Sequence, residues 1–284
     1  TGTNNVAIGS VSLLANTTGN YNVALGIYAL QANTTASNNT AVGYQAGFAS
    51  TGAQLTAIGF RSGYNYTSTD TLDALGYYAA YSTTSGSYNV AIGGQSIFSN
   101  ATGVANTAVG RDCLYSNTAS SNTAVGYSAA YYNTSGANNV AVGREALRSN
   151  TTASNSTAVG YQALYSNTTG TPVDAFGYNA LGANTTGSGN AAFGAGALQA
   201  NTTGACNIAM GQNALISNTT ANDNTAIGYT AGNSITTSPS NTMLGKGAGY
   251  NLTTSAGGNT LVGAAAGIAL TTGTMNTFVG PCIY

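Results

Sequence analysis

The residues of this 284-residue chain best suited to acid–base chemistry are its six acids, Asp70, Asp73, Asp112, Glu145, Asp174 and Asp223. Cleaving a glycosidic bond needs two carboxylates flanking it, about 5 to 9.5 Å apart. Asp112 and Glu145 are the pair that invites this reading, because they hold the same place in two units of a repeat, two units apart. Arg111 and Arg144 precede them directly, and solvated ion pairs explain such residues without catalysis. The chain has no histidine. A Ser-His-Asp or Cys-His arrangement is therefore excluded, and His-based metal sites with it. The three cysteines, Cys113, Cys206 and Cys282, form no Cys-x-x-Cys. They read as small buried or half-buried thiols. No enzyme, metal or cofactor is expected.

Composition narrows the partners. Charged residues are 4% of the chain and the formal net charge is −1, against about 25% charged residues in average soluble proteins. Five scattered Lys and Arg cannot displace the counterions of a nucleic acid. No apolar run reaches the roughly 18 residues of a membrane span, so no membrane insertion is expected. The start, Thr1-Gly2-Thr3-Asn4, lacks the charged and apolar regions of a signal peptide. Both ends fall within the repeat, which suggests a segment of a longer array or a processed product.

Whatever chemistry these residues do, the repeat must position them. Its clearest copies are 39–46, 122–129 and 156–163, reading Asn/Ser-Thr-Ala-Val-Gly-Tyr-Gln/Ser-Ala. The Gly recurs from Gly9 to Gly280 in 17 copies, spaced by 17 residues thirteen times, 16 twice and 18 once. A fixed short period marks a repeat architecture, so residues 1–284 read as a single repeat domain. Offsets are counted from this Gly. Offset −1 is apolar in all 17 copies, and −2 is Ala in 14, followed by Met243, Leu261 and Phe278. With Val or Thr at −3, this is a short β-branched strand. Offset +3 is small, and +4 is often Leu, as at Leu30, Leu164 and Leu215; this stretch reads as a second strand or bend that also feeds the core. Offsets +7 to +10 commonly read Asn-Thr-Thr-Gly, a turn, where the two 16-residue steps can lose a residue without shifting a strand. Asn fills −4 in 13 copies; stacked identical amides can bond from one to the next.

Gly, Thr (often paired) and Asn recur along the units and disfavour helices. The unit fits one coil of an all-β parallel β-solenoid (β-roll) of about 17 coils, with two short strands and two turns per coil. At about 4.8 Å per coil it would be a rod roughly 80 Å long. The −1 column is expected inward, facing +4 across a narrow interior. The apolar and small columns exceed what one interior holds, so a homotrimer or fibre is expected, with small residues at −2 or +3 lining the contact between chains.

Aromatic residues are columnar. Offset +1 carries Tyr44, Phe60, Tyr77, Tyr127, Tyr161, Tyr178 and Tyr229; offset +5 carries Phe48, Tyr64, Tyr81, Phe98, Tyr115, Tyr131, Tyr165 and Tyr250. They either stack on one another, pack between chains or, at Tyr44, Tyr77, Tyr127, Tyr161, Tyr178 and Tyr229, contact a surface glycan. The Asn-Thr-Thr turns at Asn16, Asn33, Asn150, Asn167, Asn184, Asn201 and Asn218 are also glycosylation sequons, though turn chemistry alone explains them.

The columns at Asn5-Val6-Ala7-Ile8-Gly9, Asn89-Val90-Ala91-Ile92-Gly93 and Asn139-Val140-Ala141-Val142-Gly143 resemble the head repeats of trimeric autotransporter adhesins. The whole chain, and Thr157 to Gly170 most fully, looks still more like the repetitive shafts of phage and phage-like tail fibres. The resemblance implies a trimeric, parallel β-roll fibre, extracellular, on a cell surface or on a virion. The expected function is a structural or adhesive fibre segment that binds a cell surface or acts as a rigid spacer. An ice-binding solenoid, using the Thr column at +8, and a glycan-cleaving tailspike remain alternatives.

Overall fold

A computed structural model describes residues 2–253 and 257–281. The chain is an all-β parallel β-solenoid with one strand per repeat. It falls into two compact units, Thr1–Asn139 and Val140–Tyr284. The first holds β1 (Val6–Ile8), β2 (Val23–Leu25), β3 (Thr40–Val42), β4 (Leu55–Ile58), β5 (Leu72–Leu75), β6 (Asn89–Ile92), β7 (Thr107–Val109) and β8 (Thr123–Val125). The second holds β9 (Val140–Val142), β10 (Thr157–Val159), β11 (Val173–Phe176), β12 (Asn190–Phe193), β13 (Ile208–Met210), β14 (Thr225–Ile227), β15 (Thr242–Leu244), β16 (Thr260–Val262) and β17 (Thr277–Val279). Within each unit consecutive strands pair in parallel and keep repeat register, as in Thr157↔Val140, Ala158↔Ala141 and Val159↔Val142.

The strand alternates, and this overturns the expectation for offset −1. Asn39 and Ala41 are fully buried, whereas Thr40 and Val42 are half-exposed. The same holds along each unit: Ala at −2 points inward, and Val125, Val159, Ile58, Phe176 and Met210 at −1 point outward. Strand side chains alternate with period two, so an inward amide at −4 forces −2 inward and −1 outward. The buried Ala at −2 and +3 (Ala24, Ala29, Ala158, Ala163) are spent inside their own chain. They cannot line a contact between chains.

Of the second strand or bend expected at +3 and +4, the described residues form the bend, with Leu at +4 buried. Offsets +1 to +6 form a turn in which +2 and +4 are left-handed, as at Gln162 (φ 53°) and Leu164 (φ 53°). The peptide groups then serve opposite neighbours. Gln162 N–H donates back to Arg144 C=O at 3.0 Å, and Leu164 N–H donates forward to Ala180 C=O at 3.0 Å. Left-handed backbone costs roughly 1–2 kcal/mol per non-Gly residue; inter-coil bonds and the burial of Leu at +4 offset it. The 16-residue steps lose their residue in the other turn, as expected. On either side of one step, Thr118 N–H still reaches Thr134 C=O, and Ser121 N–H still reaches Val104 C=O.

The interior has an apolar half and an amide half. In the apolar half Ala at −2 and +3 packs with Leu at +4, and volume is conserved across it. Where −2 becomes Met243 or Leu261, or −4 becomes Leu55, the +4 position is Gly: Gly249, Gly267 and Gly63. A Cβ at Gly63 would sit 2.9 Å from Leu55 Cδ1. In the amide half, Asn at −4 and Asn at +7 converge on one carbonyl at +10. Asn22 and Asn33 donate to Ala36 C=O at 3.0 and 3.1 Å, and Asn190 and Asn201 donate to Gly204 C=O at 2.7 and 2.9 Å. Each amide also links coils. Asn39 N–H donates to Asn22 Oδ1 at 3.0 Å, so the ladder expected at −4 is present. A second ladder runs at +7 through Asn167, Asn184, Asn201 and Asn218, each link 2.8 Å. It stops where Ile235 takes the next rung, leaving Asn218 Oδ1 without a partner.

Candidate functional site

Three columns remain on the surface: the outward strand positions, the aromatics and the threonines. The six singled-out tyrosines are exposed, from 38% at Tyr161 to 61% at Tyr178. Their ring faces are partly taken by one another. Tyr44 stacks on Phe60 and Phe60 on Tyr77, both with centroids 5.4 Å apart, and Tyr161 stacks on Tyr178 at 5.4 Å. Tyr44 and Tyr77 also meet Tyr28 and Tyr78 in T-shaped contacts, with centroids 6.1 and 4.5 Å apart. Tyr229 has Gln212 and Lys246 as its column neighbours, and Arg111 precedes Tyr127 in its column. The +5 column is more continuous. From Phe48 through Tyr64, Tyr81, Phe98 and Tyr115 to Tyr131, centroids lie 4.9 to 5.3 Å apart.

Arg61 is set among these rings. Its guanidinium lies 5.3 Å from the Phe60 centroid and 5.7 Å from that of Tyr78. Its Nη1 donates to Tyr78 Oη at 3.0 Å and its Nε to Gln45 Oε1 at 2.6 Å. Burial against Tyr81 and its neighbours raises the Tyr64 pKa above the usual phenol value. Such cation–aromatic packing ties the two columns together.

Asp112 and Glu145 sit in ion pairs. Arg111 Nε lies 3.2 Å from Asp112 Oδ2, and Arg144 Nη2 lies 3.9 Å from Glu145 Oε1. Glu145 Oε2 also accepts from Gln162 Nε2 at 2.7 Å. Asp112 belongs to the first unit and Glu145 to the second, and each is accounted for by its own neighbours. A polar cluster that the sequence did not suggest surrounds Tyr66, which replaces Asn at +7. Tyr66 is fully buried and its hydroxyl donates to Asp70 C=O. Burial raises its pKa, and a hydrogen bond to Asp70 raises that of Tyr88.

The sequon asparagines are interior. Asn33, Asn150, Asn167, Asn184, Asn201 and Asn218 are fully buried, with amide nitrogens bonded to turn carbonyls. The folded chain therefore offers none of these six for glycosylation; Asn16 is half-buried. The Thr column at +8 is committed as well. Thr185 Oγ1 donates to Thr202 C=O, and Thr202 Oγ1 to Thr219 C=O, both at 3.0 Å. Cys113 is buried, its Sγ 2.5 Å from Gly126 C=O, and burial pushes its pKa up to about 11. Cys206 is exposed rather than buried or half-buried, because it sits at −5, the outer corner before the strand. Cys282 lies outside the described residues. Among the described residues no cluster of acids and cysteines has the geometry to hold a metal ion, and no helix is long and apolar enough to cross a membrane.

No protein-family model, curated protein or solved structure matches the chain.

Proposed function

We propose that the chain is a structural and adhesive fibre segment, extracellular or virion-borne, which assembles as a homotrimer and contacts a cell-surface glycan. The observation that carries this reading is the −1 column. It is apolar in all 17 copies and points outward along the strands of both units. Soluble monomers avoid long contiguous apolar stripes. A stripe repeating once per coil is matched along its length by a surface of the same period, which a second copy of the chain supplies. The contact between chains is therefore assigned to −1 and −3 rather than to −2 or +3. The exposed tyrosines at +1 offer many weak identical contacts that add through multivalency.

An ice-binding role is favoured by one observation. The outward sheet face sets Thr at −3 (Thr107, Thr123, Thr157) beside aliphatic −1 residues in a regular array. One sample tests the readings together. Glycan-array binding that falls when Tyr44, Tyr77 and Tyr178 become Ala supports adhesion. Thermal hysteresis without glycan binding supports ice. Polysaccharide cleavage lost in Glu145→Gln supports a hydrolase and sinks the proposal.

A further inference from the structure

The +5 column differs between the units. In the second it runs Arg148, Tyr165, Gly182, Gln199, Ile216, so Tyr165 stands as a single ring under the Arg148 guanidinium and the next rung has no side chain. At that rung lies an open groove of about 620 Å3, bordered by Ser166, Asn179, Gly182, Gln199, Ile216 and Ser217. We propose that this groove binds one or two rings of a neutral saccharide.

The chemistry of the lining selects the ligand. None of these residues is charged, which disfavours an anionic partner. Asn179 and Gln199 each carry a donor and an acceptor, the combination that neighbouring sugar hydroxyls require. Among the described residues, no side-chain hydrogen bond within the chain engages Asn179, Gln199, Ser166 or Ser217, in contrast to the interior amides. The backbone here is already committed. Ser166 N–H donates to Gly182 C=O at 3.1 Å, Ala183 N–H to Gln199 C=O at 3.0 Å and Ala200 N–H to Ile216 C=O at 3.0 Å. Recognition therefore falls to the side chains. Ala183, Ala200 and Ile216 supply an apolar floor for the C–H face of a ring. The volume lies within the roughly 300–1,000 Å3 of small-molecule sites. The lining spans four coils, about 14 Å at strand spacing.

The choice of a glycan rests on the adhesive reading; the groove itself does not. Gly182 has no left-handed φ, and a Cβ there would lie 2.0 Å from Asn179 Oδ1 and 3.3 Å from Asn179 C=O, so the Asn179 side chain must swing away and the backbone give by a few tenths of an ångström. Gly182→Tyr therefore sets a ring beside Tyr165, in the manner of Tyr115 and Tyr131, and fills the groove while keeping the fold. The test is saturation-transfer NMR and calorimetry with lactose, cellobiose, maltose and chitobiose, and a heparin disaccharide as the anionic control. At least one neutral disaccharide should bind. Gly182→Tyr should weaken it at least tenfold and Gln199→Ala several-fold, with unchanged circular dichroism and melting. Undiminished binding in Gly182→Tyr, or preference for the heparin disaccharide, overturns the inference. If glycan-array binding survives Gly182→Tyr but is lost in Tyr77→Ala and Tyr178→Ala, adhesion stands and the groove falls. If no saccharide binds the unaltered chain, both fall.

Discussion

A single Cβ at the anchor Gly would break a coil. Gly160 has φ +134°, and its Cβ would lie 2.5 Å from Gly177 C=O in the next coil. Gly160→Ala should cost at least about 3 kcal/mol, strain and clash together. Gly247 is left-handed too (φ +64°), but nothing lies within 4 Å of its Cβ position. Gly247→Ala should cost about 1 kcal/mol, so urea denaturation separates the pair. The anchor was legible as a period; the reason for it is a contact with a residue 17 positions on. Cys113 gives a pH prediction. Its folded pKa is about 11 against an ordinary 9.0, so between those values the unfolded thiol loses its proton and the folded one keeps it. Stability should fall as pH rises from about 9 to 11, and Cys113→Ala should flatten that fall in a series of melting curves.

Within a coil the energetics belong to pairs and ladders. Gly63→Leu should destabilise by overpacking against Leu55, and Leu55→Ala alone should destabilise by leaving a cavity. In the Gly63→Leu background Leu55→Ala should instead stabilise, a sign reversal of at least about 1 kcal/mol in a double-mutant cycle. Asn201→Ala removes a fully buried rung and should cost about 1–3 kcal/mol by leaving neighbouring amides unpaired. Asn179→Ala, at the groove, should leave the melting temperature nearly unchanged. The sequence made the −4 ladder legible because identical amides recur at one offset. It misdirected the −1 column because invariant bulk resembled a core. The Ala at −2 was as regular and held the inward place. Choosing between the columns required knowing that Asn at −4 is buried, and that depends on its meeting the +10 carbonyl in three dimensions. The groove was illegible for a related reason: Gly182 in the +5 column is one small residue among many, until the open space at its rung is seen.

For the whole molecule, the proposed assembly rests on the outward stripe. Val142→Asp, Val159→Asp and Phe176→Asp together place charge on the proposed contact between chains. Light scattering should give the trimer mass for the natural chain and the monomer mass for the triple variant, with the β-sheet circular dichroism retained. Ala158→Asp is the contrasting change: its site is fully buried, so it should unfold its surroundings. A triple variant that keeps the trimer mass moves the contact to another face.

The bonds that join coils run between residues about one repeat apart, such as Asn184 to Asn167 and Thr168 to Thr185, each 17 positions. Closing such a short loop carries the same entropy cost at every step, and contacts this local favour fast folding. Growth can then proceed like a zipper, each new turn templated on the last. A chain emerging from a ribosome can then lock about one repeat at a time. Adding whole repeats lengthens the molecule without making it harder to fold.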